Sequence, residues 1–133
     1  MWRRYAQKVS KAEAMIFNEL CKRGLGRNLN TQQAFAFNQE TDGVKGTWID
    51  FFFSYPHSYA AYIDGPLHDK KKQEKKDLLI DAALARRGIL VDRFKYHPPL
   101  TKKRLREICD AIQHRIQNEA DRVTEKHLFL CTP

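Results

Sequence analysis

Two acidic side chains stand out by their setting. Asp50 interrupts the apolar run Thr47 to Phe53 (TWIDFFF), and Asp64 closes the run Tyr59 to Asp64 (YAAYID). His68 follows four residues later, and then come Lys70, Lys71, Lys72, Lys75 and Lys76. Carboxylates presented by neighbouring strands make a seat for a hard divalent cation such as Mg²⁺ or Mn²⁺. Beside a basic surface, that cation points to metal-assisted hydrolysis of a phosphodiester. Each residue also has a plainer reading. Asp50 could pair with an arginine or cap a neighbour, Asp64 could serve a turn, His68 could sit idle on the surface, and the lysines could form a solvated face.

The elements that would position these groups follow from periodicity and punctuation. Ser10-Lys11-Ala12-Glu13 has capping-box spacing and opens a helix whose stripe is Ile16, Phe17 and Leu20. Gly24 or Gly26 should stop it. Glu13 is then either the partner of the cap or an acid approaching the site. Gln32 to Asn38 reads as a strand with Phe35 and Phe37 on one face, and Asp42-Gly43 and Gly46 mark a turn. In the strand Thr47 to Phe53, alternation puts Ile49, Phe51 and Phe53 on one face and Trp48, Asp50 and Phe52 on the other. Tyr59 to Asp64 should pair antiparallel with it, with Ala60, Tyr62 and Asp64 on one face, and Gly65-Pro66 ends it.

A long helix is expected from Asp69, as its cap, to Arg87, with Leu79, Ile80, Ala83 and Leu84 buried. Its lysines are candidate phosphate contacts, and Asp77 and Asp81 either face the site or pair with those lysines. Ile89 to Lys95 follows Gly88 directly, as in a βαβ crossover, and carries Arg93 as a further phosphate contact. A closing helix runs from Thr101 to about Asn118, with Leu105, Ile108, Cys109, Ile112 and Ile116 at 3.6 spacing. Leu128-Phe129-Leu130 would dock on the domain or on a second subunit. The order is helix, three strands, helix, strand, helix: an α/β fold with a mixed sheet of about four strands flanked by helices.

Composition sets the outer bounds. A chain of 133 residues supports one domain, taken as 1–133, and not two cores. Its 42% hydrophobic and 30% charged residues describe a globular protein. A net charge of +8 favours a polyanionic partner. No apolar run approaches the ~20 residues of a membrane span, and MWRRYAQKVS lacks the apolar stretch of a secretion signal. Three cysteines without CxxC spacing read as reduced thiols in a cytoplasmic protein. His97, Cys109, His114 and Cys131 fit no standard zinc spacing.

Over roughly residues 8 to 118, order and residues together resemble the PD-(D/E)XK nuclease superfamily. Within it, the chain is most similar to the small endonucleases related to very-short-patch mismatch repair. Ser10-x-x-Glu13 resembles the first-helix motif, whose glutamate approaches the metal. Ile49-Asp50-Phe51 resembles the strand motif, whose aspartate is the principal metal ligand. Ile63-Asp64-Gly65-x-x-His68 resembles the acid-glycine-histidine turn, and Asp77, Gly88 and Arg93-Phe94 match the segment that follows. Two positions depart from the pattern. Tyr62 stands where close relatives often carry a glutamate, and Asp64 stands where the superfamily's strand lysine would fall.

The resemblance implies a restriction-endonuclease-like core and Mg²⁺-dependent cleavage of DNA, double-stranded in preference, by a nucleoid-associated protein. Asp50 and Asp64 would be the metal ligands. His68 and Glu13 would assist, and Lys72, or its neighbours Lys70 and Lys76, would take the missing lysine's role. Lys70, Lys71, Lys75, Lys76 and Arg93 would hold the backbone. Alternatives are a nuclease-fold module that binds DNA without cutting it, and a subunit, homodimeric or in a larger DNA-processing complex, that cuts only with partners.

Overall fold

Ser10 fixes where the first described helix begins. Its Oγ accepts the Glu13 N–H at 3.1 Å, satisfying one of the orphan donors of helix α1, Lys11–Lys22. The computed structural model describes residues 10–66 and 70–131, with side chains over 10–66 and 71–118. Gly24, at φ +78°, turns the chain out of α1, and the Leu25 N–H closes back on the Leu20 carbonyl. That left-handed cap is open to glycine at little cost.

Among the described residues, four strands and three more helices follow. They are β1 (Leu29–Ala36), a single turn α2 (Gln39–Asp42), β2 (Gly46–Phe53), β3 (Tyr59–Asp64), α3 (Lys70–Arg86), β4 (Leu90–Lys95) and α4 (Lys102–Cys131). The sheet order is β1-β2-β3-β4. The first two pairings are antiparallel and β3 runs parallel to β4, with α3 as the crossover. The α/β class and the mixed four-stranded sheet therefore stand as expected. Gly88 ends the helical segment in the left-handed region, as Gly24 does.

The sheet is covered on both faces. On one, Ala12, Ile16 and Leu20 of α1 and Ile108, Cys109, Ile112 and Ile116 of α4 pack on Phe51, Phe53, Tyr59, Ala61 and Ile63. On the other, Ile80 and Leu84 of α3 pack on Ile49, Ala60 and Tyr62, with Phe35, Phe37 and Phe52 at the margin.

Several expectations need correction. Ile49 does not share a face with Phe51 and Phe53: it packs under α3, while they pack under α1 and α4. Simple alternation fails because the β1–β2 ribbon is kinked at Asp50. Phe17 and Leu79, assigned to buried stripes, are 36% and 38% exposed. Apolar type marked the stripe, but its edges lie beyond the helix contacts. The segment read only as a turn contains α2, capped by Asn38, whose side chain accepts the Glu40 N–H. The closing helix continues to Cys131 instead of ending near Asn118. Leu128, Phe129 and Leu130 lie on it, outside the described side chains.

Asp92 ties β3, β4 and α4 together. The Tyr59 hydroxyl donates to Asp92 Oδ2 at 2.8 Å, and Arg115 of α4 donates to both carboxylate oxygens at 3.1 and 2.9 Å. Tyr59 is fully buried, and burial raises its pKa, so it stays a donor. Tyr59→Phe should therefore cost about 1–3 kcal/mol in urea unfolding, the range for a hydrogen bond to a charged group. No loss would show that Arg115 alone satisfies Asp92.

Candidate functional site

Asp50 sits at the kink. Pairs Thr31↔Phe51 and Gln33↔Ile49 flank it, so Gln32 lies opposite Asp50 in register. That step is not paired, because Gln32 has φ +53°. A non-glycine residue in the left-handed region costs on the order of 1–3 kcal/mol and persists only where its surroundings hold it. Here the surroundings are two carboxylates. Gln32 Nε2 donates to Glu13 Oε2 at 2.8 Å and to Asp50 Oδ1 at 3.3 Å.

The second Asp50 oxygen has a backbone partner. The β2–β3 ladder ends at Phe51↔Ala61, and beyond it Asp50 Oδ2 accepts the Ile63 N–H at 2.8 Å. The strands separate at Asp50, and its carboxylate takes over a donor that the ladder no longer serves. Burial pushes the Asp50 pKa up, while the Ile63 N–H and the Gln32 amide hold it down.

Glu13 reaches the same place from the first turn of α1. Burial, then the Asp50 charge, raise its pKa from an ordinary 4.5 to about 7, against the bonds from Ser10 and Gln32. Two carboxylates thus share one neutral amide as donor.

Asp64 belongs to a neighbouring group centred on Arg93. The guanidinium donates to Asp81 through Nε and Nη2, at 2.9 to 3.1 Å. Its Nη1 lies 3.4 Å from Asp77 and 3.7 Å from Asp64. It stacks 4.1 Å above the Tyr62 ring, whose hydroxyl is 2.8 Å from Thr47 Oγ1. Burial raises the Asp64 pKa and Arg93 opposes the rise. Asp64 in turn pushes the Asp50 pKa up, so the two groups sense each other.

The sequence-derived residues are therefore divided. Glu13 and Asp50 converge, and Asp64 is within electrostatic reach but faces an arginine. Arg93, expected as a phosphate contact, has its guanidinium held by three aspartates. Asp77 and Asp81 pair with Arg93 instead of with lysines. Lys71, Lys72, Lys75 and Lys76 are exposed on α3. His68 and the cap Asp69 lie outside the described residues, as does the side chain of Lys70. Gln32 is the site residue that sequence reasoning missed. As one of several polar residues in β1 it carries no signal until the β1–β2 register places it opposite Asp50.

Among the described residues, no three His, Cys, Asp or Glu side chains gather as a metal site, and Cys131 of the zinc set lies outside the described side chains. The Glu13–Asp50–Gln32 cluster has two carboxylates and an amide, and an amide presents an oxygen as readily as a nitrogen. The side chains that bond these two partly buried carboxylates, Ser10 and Gln32, are neutral, with Arg93 acting on Asp50 only as a more distant charge, and oxygen donors of this kind fit a hard cation. Among the described residues, no helix is long and apolar enough to cross a membrane. Comparison with known protein families, curated proteins and solved structures finds no match.

The Glu13 carboxyl gives a pH signature. Its folded pKa exceeds its unfolded value, so the folded state holds the extra proton between about pH 4.5 and 7. Its contribution to stability is present below that window and is lost as pH rises through it. Glu13→Gln keeps an oxygen for the Gln32 amide and removes the titration. In metal-free buffer, its melting temperature should match wild type near pH 4.5 and exceed it at pH 8. Parallel pH profiles for the two proteins would contradict this.

Proposed function

We propose that this chain is a metal-dependent endonuclease that hydrolyses phosphodiester bonds in DNA. The observation that carries the reading is the convergence of Glu13, Asp50 and Gln32 where β1 is strained and β2 parts from β3. Strained backbone and crowded carboxylates are costly, and such features concentrate at sites that do chemistry. The PD-(D/E)XK resemblance supplies the reaction class, and the +8 charge supports a polyanionic substrate.

Asp50, Glu13 and the amide oxygen of Gln32 would hold Mg²⁺ or Mn²⁺, with Asp64 as a further carboxylate in reach. When bound, the metal supplies charge that polarises a phosphodiester and eases deprotonation of water. The chain's own groups do the rest. Ile63 N–H fixes the Asp50 carboxylate in place. Glu13 would hold the metal directly or through water. By resemblance, His68 would accept a proton from the attacking water or orient it. Lys72, likewise by resemblance, would offset the charge that builds on phosphorus.

The Arg93–Asp64 pair favours a second reading, a nuclease-fold module that binds DNA without cutting it. Arg93 already pairs with Asp64, and Tyr62 lies beneath it where the endonucleases that the chain resembles often carry a glutamate.

Nicking of supercoiled plasmid separates the two. The nuclease reading expects cleavage that requires Mg²⁺ or Mn²⁺ and falls by more than about a hundredfold in Asp50→Asn, beyond the usual effect of losing an outer-shell partner. Cleavage unchanged in that variant refutes the assigned site. Salt-sensitive DNA binding with no cleavage by wild type supports the silent module instead.

A further inference from the structure

The α3 lysines do not stand alone as a charged helix face. Lys72, Lys75 and Lys76 line a cavity of about 400 Å³ with Lys45, Gly43 and Leu79. Four of its lining residues are lysines, and none of them is acidic. They come from two elements, α3 and the turn between α2 and β2. Gly43, at φ +76°, ends α2 and brings that turn against the helix, where Leu79 lies 3.6 Å from the position of an added Cβ. The acid of the turn, Asp42, is buried and taken up by Arg86 and Arg87. Those arginines hold its pKa down to about 2, so it stays paired at neutral pH.

The cavity and the acidic groups flank the same two turns of α3. Lys72 and Lys76 are one turn apart on one face. Gln73 and Asp77, each one residue further on, are joined at 2.8 Å, and Asp77 meets Arg93. Consecutive positions lie about 100° apart round a helix, so the two faces adjoin. Four lysines from two elements offer several cationic contacts, which suit a polyanion with regularly spaced charges better than a single small anion.

We infer that the cavity between α3 and the α2–β2 turn is a phosphate-binding site for the backbone of a nucleic acid, gripping the strand beside the acidic cluster. The placement beside a cleavage site rests on the nuclease reading, but the binding itself does not. The site separates holding from cutting: Lys45 and Lys75 serve affinity, while Glu13 and Asp50 serve chemistry.

The test is duplex-DNA binding by fluorescence anisotropy in EDTA, where cleavage plays no part. Removing two phosphate contacts by Lys45→Ala with Lys75→Ala should weaken binding about tenfold and make the slope of log K against log salt less negative by about 2. The exposed pair Lys22→Ala with Arg27→Ala should change binding far less. Duplex should also shift the Gly43 and Gly46 amide resonances in wild type. Equal losses in the two double variants would overturn the proposal by reducing it to overall charge. Shifts of Gly43 and Gly46 by inorganic phosphate or a mononucleotide, but not by duplex, would overturn the polymer assignment in favour of a free-nucleotide pocket. Failure of plasmid nicking with these results intact would remove only the neighbouring chemistry.

Discussion

Asp50 carries a carboxylate into a half-buried position where two strands part, and much of the local backbone answers to it. A buried carboxylate without donors is expensive. The Ile63 N–H meets one oxygen and the Gln32 amide approaches the other. Gln32 reaches it only by taking a left-handed backbone that breaks one step of the β1–β2 ladder. The same kink moves Ile49 under α3 and leaves Phe51 and Phe53 under α1 and α4. One polar residue in an apolar strand thus sets the shape of the site and divides the core.

The molecule handles its buried acids in two ways. Around Arg93 the charges are matched: one guanidinium, stacked on Tyr62, serves Asp64, Asp77 and Asp81. Asp42 and Asp92 likewise have arginine partners. Glu13 and Asp50 differ, since their shared side-chain donor is a neutral amide. Burial, and after it the Asp50 charge, raise the Glu13 pKa. A chain with 24 lysines and arginines could have placed one there. Under the proposed reading, that place is kept for an exchangeable cation.

Much of the architecture was legible in the sequence because local signals and tertiary packing agree. Ser10 caps α1, and Gly24 and Gly88 end helical segments in left-handed turns. Tyr59 to Asp64 is a strand over its expected length, and the β3–α3–β4 crossover is parallel. Glu13 was identifiable as an acid beside an apolar stripe, and Asp50 as an acid inside an apolar run. Gln32 was not, because its role depends on cross-strand register. Arg93 and its three aspartates were equally hidden: their pairing depends on how α3 lies across β4, which periodicity does not specify. The face switch at Asp50 was missed for a related reason, since alternation presumes an unkinked strand.

Mn²⁺ titration followed through the side-chain amide resonances of Gln32 tests the central claim most directly, because Gln32 touches both carboxylates. The account predicts broadening of these resonances at substoichiometric Mn²⁺, reversed by Mg²⁺ and abolished in Asp50→Asn. Broadening centred on Asp77 and Asp81, or none at all while the protein remains folded, would contradict it.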